Sequence, residues 1–319
     1  YTLSLHDALP IYNWIDNGVY GGEGMNVNIV NNYYRPGTAT KTGAKGMRIA
    51  SPGIRTTEYT GHGTSPNQWD VMWHVWGKYY VDGNVNRSYS QVTRDNWTYG
   101  IYNQIDNSKV DNTFTQKTKD TMRIDKPIYF RDVTTHTAEQ ALTQVLAYAG
   151  ASLHRDAVDK VMVSDARNGE TTYTGSGCKK GIINSQEDLR PADADETWSA
   201  WPTLRSEEAP ADTDGDCIPD EWEQANGLNP NDPADANNVL STGYTQLEVY
   251  LASLVADITE NQNESGTMMS GQETTAIIVP YRPTEQMADH SLYNFSGRQV
   301  TGQPSHGIYI KNNKKIIVK

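Results

Sequence analysis

Short apolar runs broken by polar, glycine-rich stretches dominate the first 130 residues. Tyr12-Asn13-Trp14-Ile15, Val27-Asn28-Ile29-Val30, Val71-Met72-Trp73-His74-Val75-Trp76 and Tyr79-Tyr80-Val81 each read as a strand. Val27 and Ile29 alternate with Asn28, and Asn31 and Asn32 follow at once. Asparagine at the ends of short strands suits a parallel β-helix, where stacked amides satisfy backbone groups at the corners. The same pattern also fits an irregular antiparallel sheet, and the residues alone leave both open.

The period then changes. Ala138, Leu142, Val145, Leu146 and Ala149 fall on one helical face over residues 137–150. Thr137 and Gln140 form a capping box, and Gly150 fits the position past the helix end. A second helix is expected over 154–163, with Ala157, Val158 and Val161 inward, and a third over 244–255, with Leu247, Leu251 and Leu254 as its stripe. Residues 257–275 are polar and aperiodic and read as linker. Ala276-Ile277-Ile278-Val279 reads as a strand that Pro280 ends. Two further short strands, within 291–300 and 307–319, bracket a Gly/Pro turn.

Composition narrows the function classes. The 319 residues carry 39 acids and 27 bases, net −12, against the basic footprint of a nucleic-acid binder. No apolar run is long enough to span a membrane. Two cysteines, Cys178 and Cys217, exclude a disulfide scaffold, and they are expected not to pair. Eleven of the acids lie in residues 206–255, which hold no Lys or Arg. Most of the net charge therefore belongs to one short module, and carboxylates at that density are either solvated or hold a cation.

Within it, 212–223 reads DTDGDCIPDEWE. Asp212, Asp214, Asp216, Asp220 and Glu223 fall at positions one, three, five, nine and twelve of an EF-hand loop, and Ile218 would offer its carbonyl at seven. The expected ion is Ca2+; the alternative is a solvated acidic turn. Position six, ordinarily glycine, is Cys217, strained at a left-handed angle. A helix over 221–226, stopped by Gly227, should follow. Residues 238–249 match only the exit half of a second loop and should pack without metal.

These residues carry a resemblance. YNW, YGGEG and NNYYRPG within 11–40, the YYVDGN segment at 79–84 and AGASLHRDAVD at 149–159 resemble pectate lyases of polysaccharide lyase family one, of the Bacteroidetes type. The 212–223 loop, GLNPNDPADAN and GYTQLEVYLASLV resemble that group's C-terminal calcium module, and the tail resembles C-terminal segments of secreted proteins from the same bacteria. The resemblance implies a mainly β fold, the last coils of a right-handed parallel β-helix over 12–133. A helical flank (134–205), an EF-hand-like calcium module (206–255), a linker (256–275) and a β-hairpin tail for sorting or anchoring (276–319) would follow. It implies a secreted, periplasmic or cell-surface monomer that cleaves pectate, or a related acidic plant polysaccharide, by calcium-dependent β-elimination.

The family's catalytic carboxylates and arginine base precede the YNW segment, and no position here matches them, so the chain is expected to be an inactive fragment. Arg35 stands where the family commonly has lysine. Tyr20, Glu23, Arg35 and Lys41 are the candidate substrate-binding residues. Residues 1–11, YTLSLHDALPI, resemble one reading frame of a sequencing-library adapter and are set aside from the fold reading. The competing reading is a non-catalytic polysaccharide-binding or structural calcium-stabilised surface module.

Overall fold

A computed structural model describes residues 2–5, 10–129, 133–173, 180–204, 206–269, 292–294, 307–311 and 314–318. The chain forms two compact units, Tyr1–Thr274 and Thr275–Lys319. The first unit opens with β1 (Thr2–Leu5), β2 (Pro10–Tyr12), β3 (Val19–Gly21), β4 (Asn26–Val30) and β5 (Tyr33–Arg35). There follow α1 (Ala44–Met47), β6 (Ala50–Pro52), α2 (Thr57–Thr60), β7 (Lys78–Asp82) and β8 (Val85–Asn86). Next come α3 (Ser90–Arg94), α4 (Asn96–Gly100), α5 (Gln116–Met122), β9 (Val133–Thr135), α6 (Ala138–Tyr148) and α7 (Ala157–Asn168). The unit ends with α8 (Asp220–Asn226), α9 (Gln246–Ser253), α10 (Ala256–Asn261) and β10 (Thr267–Met269).

The strands of the first half pair in parallel, in the orders β1-β4-β7, β2-β5-β8 and β3-β6. In register, Val27 lies beside Tyr79, Tyr34 beside Asn86 and Tyr20 beside Ser51. Trp14, Val27, Ile29, Tyr34, Ile49, Ala50, Tyr79, Val92, Trp97, Ile101 and Met122 form one buried cluster. Burying such side chains contributes about 1.5–3 kcal/mol each, so this cluster is the main apolar support of the first half.

The expected mainly β fold, a right-handed parallel β-helix, is not what the chain forms. Helices hold more of the described residues than strands do, and the strands sit in small sheets of two or three, none closed or continued into a solenoid. The physical reason lies in the spacers. Asn, Gly and Asp cut the strands to two to five residues, and the long segments between β6 and β7 and after β8 fold as short capped helices and turns. The described residues from Ala138 to Asn261 hold helices and turns but no strand.

Asparagine nevertheless does structural work at the strand ends. Asn84 is buried; its amide donates to Ile29 O at 2.7 Å and to Asn96 Oδ1 at 3.0 Å, and its Oδ1 accepts from Asn32 N at 2.9 Å. Asn28 departs from the alternation read in β4. It is buried with Val27 and Ile29, because its amide pairs with both backbone groups of Ile128, at 2.7 and 2.9 Å.

The expected strand at residues 71–76 is absent. One tight turn covers Asp70–Met72, Val71 is exposed, and His74 takes a positive φ of 55°. The apolar run spends its rings on local stacking, with Trp73 between two histidines.

The helix signals hold better. Thr137 and Gln140 make the capping box of α6, whose Ala138, Ala141 and Leu146 are buried. The second helix, α7, starts later than expected, capped by Asp156, and Ala157 faces out while Val158 and Val161 are half-buried. In α9 a capping box joins Thr245 and Glu248, but Leu251 and Leu254 are exposed and Tyr250 packs on Trp222 instead, ring centroids 5.4 Å apart. The stretch read as linker carries α10 and β10, and β10 pairs antiparallel with β9, Met269 beside Val133.

The second unit contains β11 (Leu292–Asn294), β12 (Gly307–Lys311) and β13 (Lys314–Val318), antiparallel in that order. The expected strand at 276–279, and Cys178, lie outside the described residues. Of the segment set aside at the N-terminus, Thr2–Leu5 pairs with β4 and Pro10–Tyr12 with β5. Among the described residues no helix is long and apolar enough to cross a membrane.

Candidate metal centre

The acidic loop folds back on its own backbone. Asp212 accepts from Gly215 N at 2.7 Å and Cys217 N at 3.1 Å, and Asp216 accepts from Ile218 N at 2.8 Å. These bonds pull the backbone inward and turn its carboxylates toward one point. Gly215 and Cys217 both take left-handed angles, φ 77° and 76°, so the cysteine occupies the conformation that glycine ordinarily supplies. Ile218 is fully buried and anchors the loop. α8 then starts at once and ends at Gly227, φ 77°.

Two overlapping groups of carboxylates result. Asp212, Asp214 and Asp216 bring one oxygen each within 4.8 Å of one another, and so do Asp216, Glu223 and Asp235. Asp216 belongs to both. Asp235 lies outside the twelve-residue loop, in the single turn Asp235–Asn237. The loop spacing could not reveal it, because the chain must first return past Gly227 to bring it near. The sequence offered one signal, its place within the dense acidic stretch.

Asp220 goes the other way. Its two oxygens accept from Thr213 N and Thr213 Oγ1, both at 2.7 Å, and its own N–H donates to Ala211 O at 2.9 Å. It closes the loop from outside and belongs to neither acidic group.

The remaining carboxylate oxygens are short of donors. Asp214 Oδ2, Asp216 Oδ2, both oxygens of Glu223 and Asp235 Oδ1 are buried with no hydrogen-bond partner among the described residues. Burial, then the charges of Asp214, Asp216 and Asp235, push the Glu223 carboxyl up to about 7. Burial and Asp216 likewise raise Asp214. Carboxylates crowded away from water and left without donors are costly. A hard divalent cation relieves that cost and takes six to eight oxygens, so this donor set fits calcium.

The four substrate-binding candidates come from separate places along the chain: Tyr20 in β3, Glu23 just after it, Arg35 at the end of β5 and Lys41 before α1. Tyr20 is 65% exposed in the middle of β3. Glu23 curls back beside Gly21 and Gly53, where a Cβ on either would lie 3.6 Å from its carboxylate. Lys41 pairs with Asp16 at 3.0 Å, and Lys45 joins at 3.3 Å. The hydrogen bonds from Lys41 and Lys45 hold Asp16 below the usual carboxylate range. Arg35, at the end of β5, lies against Gly169, so close that any Cβ there would meet its Nε at 2.8 Å.

No protein-family model matches the chain. It is 30% identical, over 252 residues, to a probable pectate lyase C of Aspergillus flavus, covering 77% of this chain and 47% of the relative. The probable pectate lyase C of Aspergillus oryzae is 30% identical over 251 residues, with the same coverage. That of Neosartorya fischeri is 37% identical over 121 residues, 38% of this chain and 25% of the relative. The chain spans about half the length of the two Aspergillus relatives.

Proposed function

We propose that the chain is the C-terminal part of a secreted polysaccharide lyase that cleaves pectate by calcium-dependent β-elimination. The similarity to proteins named pectate lyase C over 77% of the chain carries this reading. The reaction removes the proton at C5 of a uronate, beside the carboxyl group, and expels the 4-linked sugar, leaving an unsaturated end. It needs a base at C5 and positive charge on the developing enolate. No residue of this chain is assigned either role; on this reading both come from residues outside it.

The acidic module is a separate, stabilising calcium site. Asp212, Asp214, Asp216, Glu223 and Asp235 would hold the ion with the Ile218 carbonyl, Glu223 through both oxygens. Asp220 supports the loop through Thr213. The bound ion would supply charge compensation here and take no part in the elimination. Tyr20, Glu23, Arg35 and Lys41 remain proposed substrate-facing residues, with Tyr20 first because its ring is largely exposed.

The test starts from the source DNA. The frame running through codon 12 is read upstream, and the protein it encodes is given polygalacturonate with and without calcium. Calcium-dependent release of unsaturated uronides, absent from the 319-residue chain alone, is the expected result. No unsaturated product from the extended protein, or full activity from this chain, overturns the reading.

A further inference from the structure

Between β6 and β7 the chain makes an excursion opened by Arg55 and closed by Trp73 and His74. Arg55 and Trp73 form a parallel bridge, and His74 N donates to Arg55 O at 3.1 Å. The Trp73 indole is stacked between two imidazoles, His62 at 3.6 Å and His74 at 4.1 Å between ring centroids. Each imidazole is held from behind, His62 by Asp70 at 2.8 Å and His74 by Asp111 at 2.7 Å. Trp73 Nε1 donates to Thr57 Oγ1 at 2.9 Å. A loop tied at this many points is rigid for its size.

Two aromatic rings stand on that frame. Tyr59 is 45% exposed and Trp69 44%. Asn67 ties them together: its amide donates to Tyr59 O at 2.7 Å, and its Oδ1 accepts from Trp69 N at 2.8 Å. The Arg55 guanidinium lies over one face of each ring, 4.4 Å from the Tyr59 ring centroid and 5.8 Å from that of Trp69, which leaves the opposite faces for a ligand. It makes no ion pair among the described residues. Asp70 of the loop and Asp111 from a later segment are each engaged by a histidine.

We propose that Arg55, Tyr59 and Trp69 form a binding subsite for a uronate unit of an acidic polysaccharide. The proposal rests on the reading of the substrate as pectate and adds a site to it. Half-exposed rings offer flat apolar area to the C–H face of a sugar at little entropic cost. An arginine without a carboxylate partner offers a planar fork that matches a carboxylate at two points. Because the frame fixes both parts before binding, little ordering remains for the complex to bear. The aromatic–guanidinium pairing is what separates a uronate subsite from one for neutral sugars.

The test titrates the 319-residue chain with trigalacturonate and, separately, with neutral galactotriose, followed by tryptophan fluorescence and calorimetry. The expected result is saturable binding of trigalacturonate, with galactotriose at least ~10-fold weaker. Arg55→Gln should weaken trigalacturonate ~10-fold or more, and Tyr59→Leu and Trp69→Leu by a similar factor. Tyr99→Leu, an equally exposed ring elsewhere, should leave it unchanged. The ring variants alter exposed side chains, and circular-dichroism melts confirm their folding, so they decide the matter if Arg55→Gln does not fold.

Absence of binding, equal binding of the neutral sugar, or wild-type affinity in the folded variants overturns the subsite. Unsaturated product from the extended protein with an inert loop overturns the subsite alone. Binding at the loop with no such product overturns the lyase reading alone.

Discussion

Cys217 holds φ 76° where the loop needs a left-handed turn. That angle costs a side-chain-bearing residue about 1–2 kcal/mol. Cys217→Gly should therefore raise the melting temperature in chelator and tighten calcium, since the loop no longer works against its own backbone. A lower melting temperature would show that the thiol makes a contact worth more than the strain. Glu223 gives a pH signature with an unusual sign. Its carboxyl is raised to about 7, above the ordinary value of 4.5, so between those values the folded chain keeps a proton that the unfolded chain has lost. Its contribution is fully present below about pH 4.5 and is lost as pH rises through 7. In chelator, the melting temperature of the wild type should fall from pH 5 to pH 8 more steeply than that of Glu223→Gln. The depressed carboxylates, such as Asp16, Asp95 and Asp111, change charge below this window. Equal slopes in the two proteins would contradict the account.

At the scale of elements, the buried amides matter more than strand propensity. Asn84 joins β4, the turn before β5 and the start of α4 through its own side chain and its backbone. Asn84→Ala should cost about 3 kcal/mol by denaturant titration, the penalty for the buried groups it leaves unpaired; a loss under about 1 kcal/mol would mean that the network is dispensable. Thr137→Ala removes one side of the α6 capping box and should cost about 1 kcal/mol. The α6 capping box was legible because it is local: Thr137 with Gln140 sits within one helical turn, and sequence spacing alone fixes the geometry. The run from Val71 to Trp76 was not, because its apolar residues fit a strand, and partners distant in sequence, the stacking partner His62, Thr57 and the carboxylate of Asp111, hold it as a loop.

Across the whole molecule the same division separates what the sequence revealed from what it concealed. The Asp212 loop, its helix and the glycine that ends it follow from spacing within sixteen residues. Asp235 entered the site only through the return of the chain, and Asp220 left it because Thr213 offered two donors at 2.7 Å. The architecture was misjudged at its largest scale, since short parallel strands ending in asparagine do not dictate that strands outnumber helices; the composition of the spacers does. What unites the loop with the turn at Asp235 is the claim that both acidic groups belong to one calcium site. Calorimetric titration of calcium into the chelator-stripped chain tests it most directly, with Asp235→Asn and Asp220→Asn beside the wild type. The account predicts one calcium per chain, affinity reduced at least ~10-fold in Asp235→Asn and a smaller loss in Asp220→Asn. Wild-type affinity in Asp235→Asn, or no calcium bound at all, would contradict it.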